Sequence, residues 1–176
     1  MKEQSIPRHL PDGLIEQLSA RKGSVREQAR DALVEMGPAV VPALLELLPS
    51  PTKRLRWEAA KALSTIAAPS SMTALAGLLA DPESDIRWMG AVGLVRIGPS
   101  SVPEALRVLI QKPDSTDARR AVHHVLRDIS REHPELLEIL SPVMDSLGDS
   151  APTDPLAPRA EEALQRLAGT AETSTI

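Results

Sequence analysis

A thirteen-residue pattern returns along this chain, and its return constrains the fold more than any other feature. Residues 25–37 read V-R-E-Q-A-R-D-A-L-V-E-M-G and residues 55–67 read L-R-W-E-A-A-K-A-L-S-T-I-A. Residues 86–98 read I-R-W-M-G-A-V-G-L-V-R-I-G, and residues 118–130 read A-R-R-A-V-H-H-V-L-R-D-I-S. A weaker copy, L-A-P-R-A-E-E-A-L-Q-R-L-A, occupies 156–168. The shared leucine stands at Leu33, Leu63, Leu94, Leu126 and Leu164, in steps of 30, 31, 32 and 38. Four copies also share an arginine: Arg26, Arg56, Arg87 and Arg119. A period of this size holds two short helices and two turns, a unit that buries its apolar face only by stacking on its neighbours.

The second helix of the unit lies between these blocks. Val41 to Leu48, Met72 to Leu79 and Val102 to Ile110 match one another; Leu14, Ile15 and Leu18 give an opening copy, and Leu136 to Leu147 a late one. Breakers fall where turns are needed, at Gly23-Ser24, Pro49-Ser-Pro51, Asp81-Pro82, Pro113-Asp114 and Gly148-Asp149. Ser24, Ser84 and Ser115 or Thr116 stand where N-caps of the Arg-bearing helices are expected. This scheme predicts five pairs and ten helices. With two Trp and no Phe or Tyr, the core must be built from Ala, Leu, Val, Ile and Met, which favours close-packed helices over a sheet. The expected division is an N-terminal arm over 1–9, one solenoid over 10–168 with a proline-rich insertion at 148–158, and a disordered tail over 169–176.

Within the third block, Ile86, Gly90, Gly93, Leu94 and Ile97 fall on one side of a helix, while Trp88, Val92 and Val95 fall opposite. Gly90 and Gly93 read as close helix packing and Gly98 as a helix end. Counting from the shared arginine as zero, positions +1, +5 and +8 point away from the apolar face in every copy, since a helix advances about 100° per residue. The first copy presents Glu27 and Asp31 there, the second Trp57, Lys61 and Ser64 with Glu58 beside them. The third presents Trp88, Val92 and Val95 with Met89 alongside, and the fourth Arg120, His124 and Arg127 with Arg131 one turn on. That face runs from acidic, through aromatic and apolar, to basic. The shared arginines sit at its flank, where a guanidinium reaches carbonyls or carboxylates of adjacent turns.

The pattern V-R-x-x-A-x-x-A-L-x-x-[IM]-G, followed by P-x-x-V-P-x-L-x-x-L, resembles HEAT repeats of the phycobilisome-lyase type over residues 10–168. The resemblance implies an all-α fold, a right-handed α-solenoid of about five helix pairs, with the Arg-bearing helices lining its concave groove. It then makes Glu27, Asp31, Trp57, Glu58, Lys61, Trp88, Met89, Val92, Val95, Arg120, His124, Arg127 and Arg131 the candidate partner-binding residues. Trp57 and Trp88 would stand on adjacent rungs as aromatic anchors, the residue type most enriched at interface hot spots.

Other functions find less support. No Cys is present for a thiolate site, and no H-E-x-x-H or histidine pair at i, i+4 offers a metal site. His123 and His124 point about 100° apart on one helix. Iron-binding hydroxylases on a similar repeat carry His-Glu at +1 and +2, where this chain has Glu27-Gln28, Trp57-Glu58, Trp88-Met89 and Arg120-Ala121. No histidine has a triad partner, and no catalytic residue, metal or cofactor is expected. A net charge of −4 disfavours general nucleic-acid binding, although the fourth-copy basic stripe keeps it as an alternative. No stretch approaches a membrane-spanning length and the first residues lack a signal-peptide pattern, so the expected location is cytoplasmic. The function this favours is a non-enzymatic adaptor or scaffold that holds another protein or peptide in the groove. A second copy of the chain is an alternative occupant, and a lyase-like subunit holding a tetrapyrrole is an alternative activity.

Overall fold

The computed structural model describes residues 12–147 and 156–173. These form ten α-helices in the expected order: α1 (Asp12–Gln17), α2 (Gly23–Glu35), α3 (Val41–Leu45), α4 (Lys53–Ile66), α5 (Met72–Leu78), α6 (Ser84–Ile97), α7 (Val102–Gln111), α8 (Thr116–Glu132), α9 (Leu137–Ser146) and α10 (Leu156–Thr173). No strand occurs among the described residues. Consecutive helices pack as pairs, and the Arg-bearing helices α2, α4, α6 and α8 also stack on one another in sequence. That is the stacking that a repeat of this period requires. Leu33, Leu63, Leu94 and Leu126 are fully buried between the layers, while Leu164 in the fifth copy is only half-buried.

The sharp turns rest on residues at fixed places in the unit. Gly37 and Gly98 take positive φ where α2 and α6 end, and Ala67 takes the same role after α4 with φ 48°. Short 3₁₀ turns at 37–40, 69–71, 99–101 and 134–136 then lead into the first helix of the next pair. In two of them a buried serine hydroxyl closes the turn: Ser71 Oγ donates to the Ala68 carbonyl at 2.7 Å, and Ser101 Oγ to the Leu94 and Gly98 carbonyls at 2.8 Å. Of the expected N-caps only Ser115 acts as one, accepting from the Ala118 N–H at 3.2 Å. Helix α2 begins two residues earlier, after Lys22, and α6 one residue earlier, after Glu83, and the shared arginine closes the preceding turn. Arg26 Nη1 donates to the Ala20 and Arg21 carbonyls, Arg56 Nη1 to those of Ser50 and Pro51, and Arg87 Nη1 to those of Asp81 and Pro82, all within 3.5 Å.

Those arginines also bind the rung ahead. Arg26 Nε donates to Glu58 Oε1 at 2.9 Å, Arg56 Nε to Asp81 Oδ2 at 3.2 Å, and Arg87 Nη2 lies 3.0 Å from Asp117 Oδ1. The fourth arginine departs from this. Arg119 has neither contact among the described residues, and its Nε is buried without a hydrogen-bond partner.

The fifth pair departs as well. Instead of continuing the Arg-bearing layer, α10 packs chiefly against α7 and α9, so that α7, α8, α9 and α10 contact one another in a ring. Pro142 inside α9 cannot donate to the Glu138 carbonyl, and Arg166 of α10 fills that vacancy at 3.2 Å. Two expected boundaries move. Pro158 lies in the first turn of α10, where proline costs no hydrogen bond, so the helix claims Leu156 to Pro158 from the expected insertion 148–158. The helix also runs to Thr173, into the expected tail. The arm 1–9, residues 148–155 and residues 174–176 lie outside the described residues.

Candidate functional site

The candidate residues do not form one continuous surface: some enter a buried clamp, and others line two separate pockets. Glu58 is the clearest correction. It is 3% exposed and lies inside the α2–α4 interface, between Arg26 and Arg30, with Oε2 2.7 Å from Arg30 Nη1. Position +2 turns toward the preceding rung and +4 toward the following one, which is why Glu58 meets Arg30 rather than the open face. Glu27 and Asp31 are exposed, with carboxylates 3.9 and 3.6 Å from Arg30 Nη2.

Trp57 is half-buried, with two cations over its ring: Lys61 Nζ at 4.9 Å from the ring centroid and Arg30 Cζ at 5.8 Å. Lys61 is thereby committed to a neighbour on its own helix, one turn back, and cation–π contacts of this kind hold both partners. Trp57 also lines a second pocket, of about 410 Å³, together with Arg26, Lys53, Arg54, Glu58 and Asp85. Met89, Val92 and Val95 are also half-buried, and Met89 Sδ accepts from Ser64 Oγ at 3.8 Å.

Trp88 is different. It is 51% exposed, the most exposed large apolar side chain among the described residues. Its ring stacks on His124 of the next rung, with centroids 4.6 Å apart and an interplanar angle of 27°. An inter-rung stack does form, but between Trp88 at +1 and His124 at +5 rather than between the two tryptophans at +1. Beside the stack lies a pocket of about 340 Å³ between α6 and α8, lined by Ser84, Arg87, Trp88, Ala91, Asp117, Arg120, Ala121 and His124.

His124 is fixed at both ring nitrogens. Arg127 Nη2 is 2.9 Å from Nδ1, and a guanidinium can only donate, so Nδ1 accepts. The proton is then on Nε2, which faces Asp128 Oδ2 at 3.4 Å. Burial, with Arg127, Arg131 and His123 adding positive charge nearby, lowers the His124 pKa below its ordinary value against the opposing pull of Asp128. Asp128 also receives Arg127 Nε at 3.1 Å and Arg131 Nη2 at 3.2 Å. Arg120 is exposed and makes no hydrogen bond or ion pair among the described residues.

Sequence reasoning missed five residues of this region. Arg30, at +4, carried a helix-wheel signal toward the next rung. Arg87 and Asp117 could be found from the flank position of the ladder. Ala91 and Ala121 line the pocket by being small, which no residue-type pattern marks. Among the described residues no three His, Asp or Glu side chains converge as metal ligands, and no helix is long and apolar enough to cross a membrane.

Stacked helix pairs with an inter-rung arginine ladder and a side-chain-lined outer face define a helical-repeat protein of the solenoid class. Residues 11–92 match the family model of HEAT repeats. That stretch of the chain is thus similar to HEAT repeats, and the match carries no lyase subtype. No curated protein matches the chain. HEAT repeats generally serve as protein-interaction scaffolds.

Proposed function

We propose that this chain is a non-enzymatic adaptor that holds a segment of another protein against the outer face of α6 and α8. The observation that supports this reading most is Trp88, half open to solvent and stacked on His124 at the mouth of a pocket of about 340 Å³. An exposed aromatic beside a concavity with a charged rim has the composition of an interface hot spot. Exposed Arg120, Arg127 and Arg131 on one end of the face, and Glu27 and Asp31 on the other, set orientation and association rate.

The test is affinity capture from native lysate with wild type, Trp88→Ala and Trp57→Ala, after circular dichroism has shown that each variant folds. Truncating a hot-spot tryptophan costs ~2 kcal/mol or more, roughly thirtyfold in affinity. The expected result is a protein enriched by wild type and Trp57→Ala and lost with Trp88→Ala. A captured set indifferent to Trp88→Ala overturns the reading.

A further inference from the structure

We propose that the α6–α8 pocket receives an apolar side chain followed in the partner's sequence by a carboxylate, with the carboxylate bound by Arg120. This rests on the reading that the face docks a protein, and it names the chemistry of the docked segment.

Charge accounting singles out Arg120. Arg87 is committed: Nη1 donates to the Asp81 and Pro82 carbonyls at 2.7 and 2.9 Å, and Nη2 faces Asp117 at 3.0 Å. Arg127 and Arg131 share Asp128. His124 accepts from Arg127 at Nδ1 and is therefore neutral. Arg120 alone among the cations of the pocket wall has no counter-charge among the described residues. Its guanidinium presents a donor fork that fits a carboxylate with two parallel hydrogen bonds.

Shape and field exclude two alternatives. Trp88, Ala91 and Ala121 make one side of the pocket apolar, where the polar groups of an entirely polar ligand would find no hydrogen-bond partner. Asp117 in the same wall is paired with Arg87, so the pocket offers one unpaired positive charge, at Arg120, and a monoanion matches it better than a phosphate dianion. A volume of about 340 Å³ is near the lower end for ligand sites, room for one side chain and its neighbour.

The experiment uses the full chain, labelled with nitrogen-15, and two synthetic peptides titrated into the millimolar range: acetyl-Ser-Leu-Asp-Ser-amide and acetyl-Ser-Leu-Asn-Ser-amide. The chain's two tryptophans give two indole N–H signals, so Trp88 reports and Trp57 serves as an internal reference. The Asp peptide is expected to shift the Trp88 indole and the Ala91 and Ala121 amides, and to bind roughly tenfold more tightly than the Asn peptide, the worth of one charge-assisted pair. In Arg120→Gln, which changes an exposed residue, the two peptides are expected to bind alike. Equal binding of both peptides to wild type, or discrimination that survives Arg120→Gln, overturns the carboxylate assignment and leaves the docking reading standing. Silence of Trp88 with both peptides, while Trp88→Ala still loses a captured protein, also overturns it. Stronger shifts at the same signals from a single-stranded oligothymidylate, with steep salt dependence, overturn both.

Discussion

Arg30 Nη1 lies 2.7 Å from Glu58 Oε2 across the α2–α4 interface, in a contact that both side chains make almost out of water. Arg26 completes the clamp from the other side at 2.9 Å. Removing one member of such a group leaves charge buried without a partner, at a cost of about 3–5 kcal/mol. Arg26 keeps some contact with water, at 19% side-chain exposure, so Glu58→Ala is expected near the lower end, about 3 kcal/mol. Replacing both Arg30 and Glu58 by Met removes the charges together and is expected to cost less than Glu58→Ala alone. Urea unfolding of the two variants checks the order.

Gly90 and Gly93 both face α5, but they do not tolerate a methyl group equally. A Cβ on Gly90 would meet the Leu75 carbonyl oxygen at 2.7 Å and Leu78 Cβ at 2.9 Å, atoms that move only with the backbone. A Cβ on Gly93 would meet the Leu75 methyls at 2.7 and 3.0 Å, which rotate away, and Ser64 Cα at 3.1 Å. Alanine gains about 1 kcal/mol of helix propensity at either place, and overpacking costs roughly 1–3 kcal/mol. Gly90→Ala is expected to lower the thermal midpoint, and Gly93→Ala to leave it nearly unchanged. A midpoint lowered equally by both would show that Leu75 has no freedom to move.

Ala67 ends α4 at φ 48°, where the equivalent residues of α2 and α6 are Gly37 and Gly98. The left-handed conformation costs a residue with a Cβ about 1–2 kcal/mol, and glycine costs about 0.4–1 kcal/mol through the freer unfolded chain. Ala67→Gly is therefore expected to stabilise the protein by about 0.5 kcal/mol. Differential scanning calorimetry reads the sign, and a lower midpoint would mean that the turn carries no strain.

Most of the fold was written in the period. Leu33, Leu63, Leu94 and Leu126 are buried as their spacing demands, and Gly90 and Gly98 do the work that small residues at those places imply. The outward positions were legible for Trp88, Arg120, Arg127 and Arg131, because a helix wheel decides what points away from its own core. It does not decide what the neighbouring helix brings. Glu58 was placed on the open face, but Arg26 and Arg30 of the neighbouring helix draw it inward, and Arg30 reaches over Trp57 for the same reason. The placement of α10 was illegible from its copy of the motif. In the structure its buried Leu156, Ala160 and Ala163 join the core, and Arg166 reaches the Glu138 carbonyl that Pro142 leaves free, a contact between residues 28 positions apart. Arg119 shows the consequence: the residue type is kept, while the contacts its equivalents make are not.

The stack of His124 on Trp88 gives the face a pH dependence with a definite sign. The folded-state pKa of His124 is lowered, mainly by burial, so the unfolded chain takes up the proton first as pH falls. Stability linked to His124 is then fully present above its unfolded value, about 6.5, and is lost as pH falls through that value toward the lower folded one. A protonated Nδ1 also cannot accept from Arg127, so the ring loses the bond that orients it against Trp88. The contribution of His124 is the difference between wild type and His124→Gln. Between pH 7.5 and pH 5.5, a window bracketing the ordinary histidine value of about 6.5, wild type is expected to lose more of its urea midpoint than His124→Gln. Parallel curves for the two proteins would show that the stack tolerates the imidazolium, and that the Arg127 contact does not set its orientation.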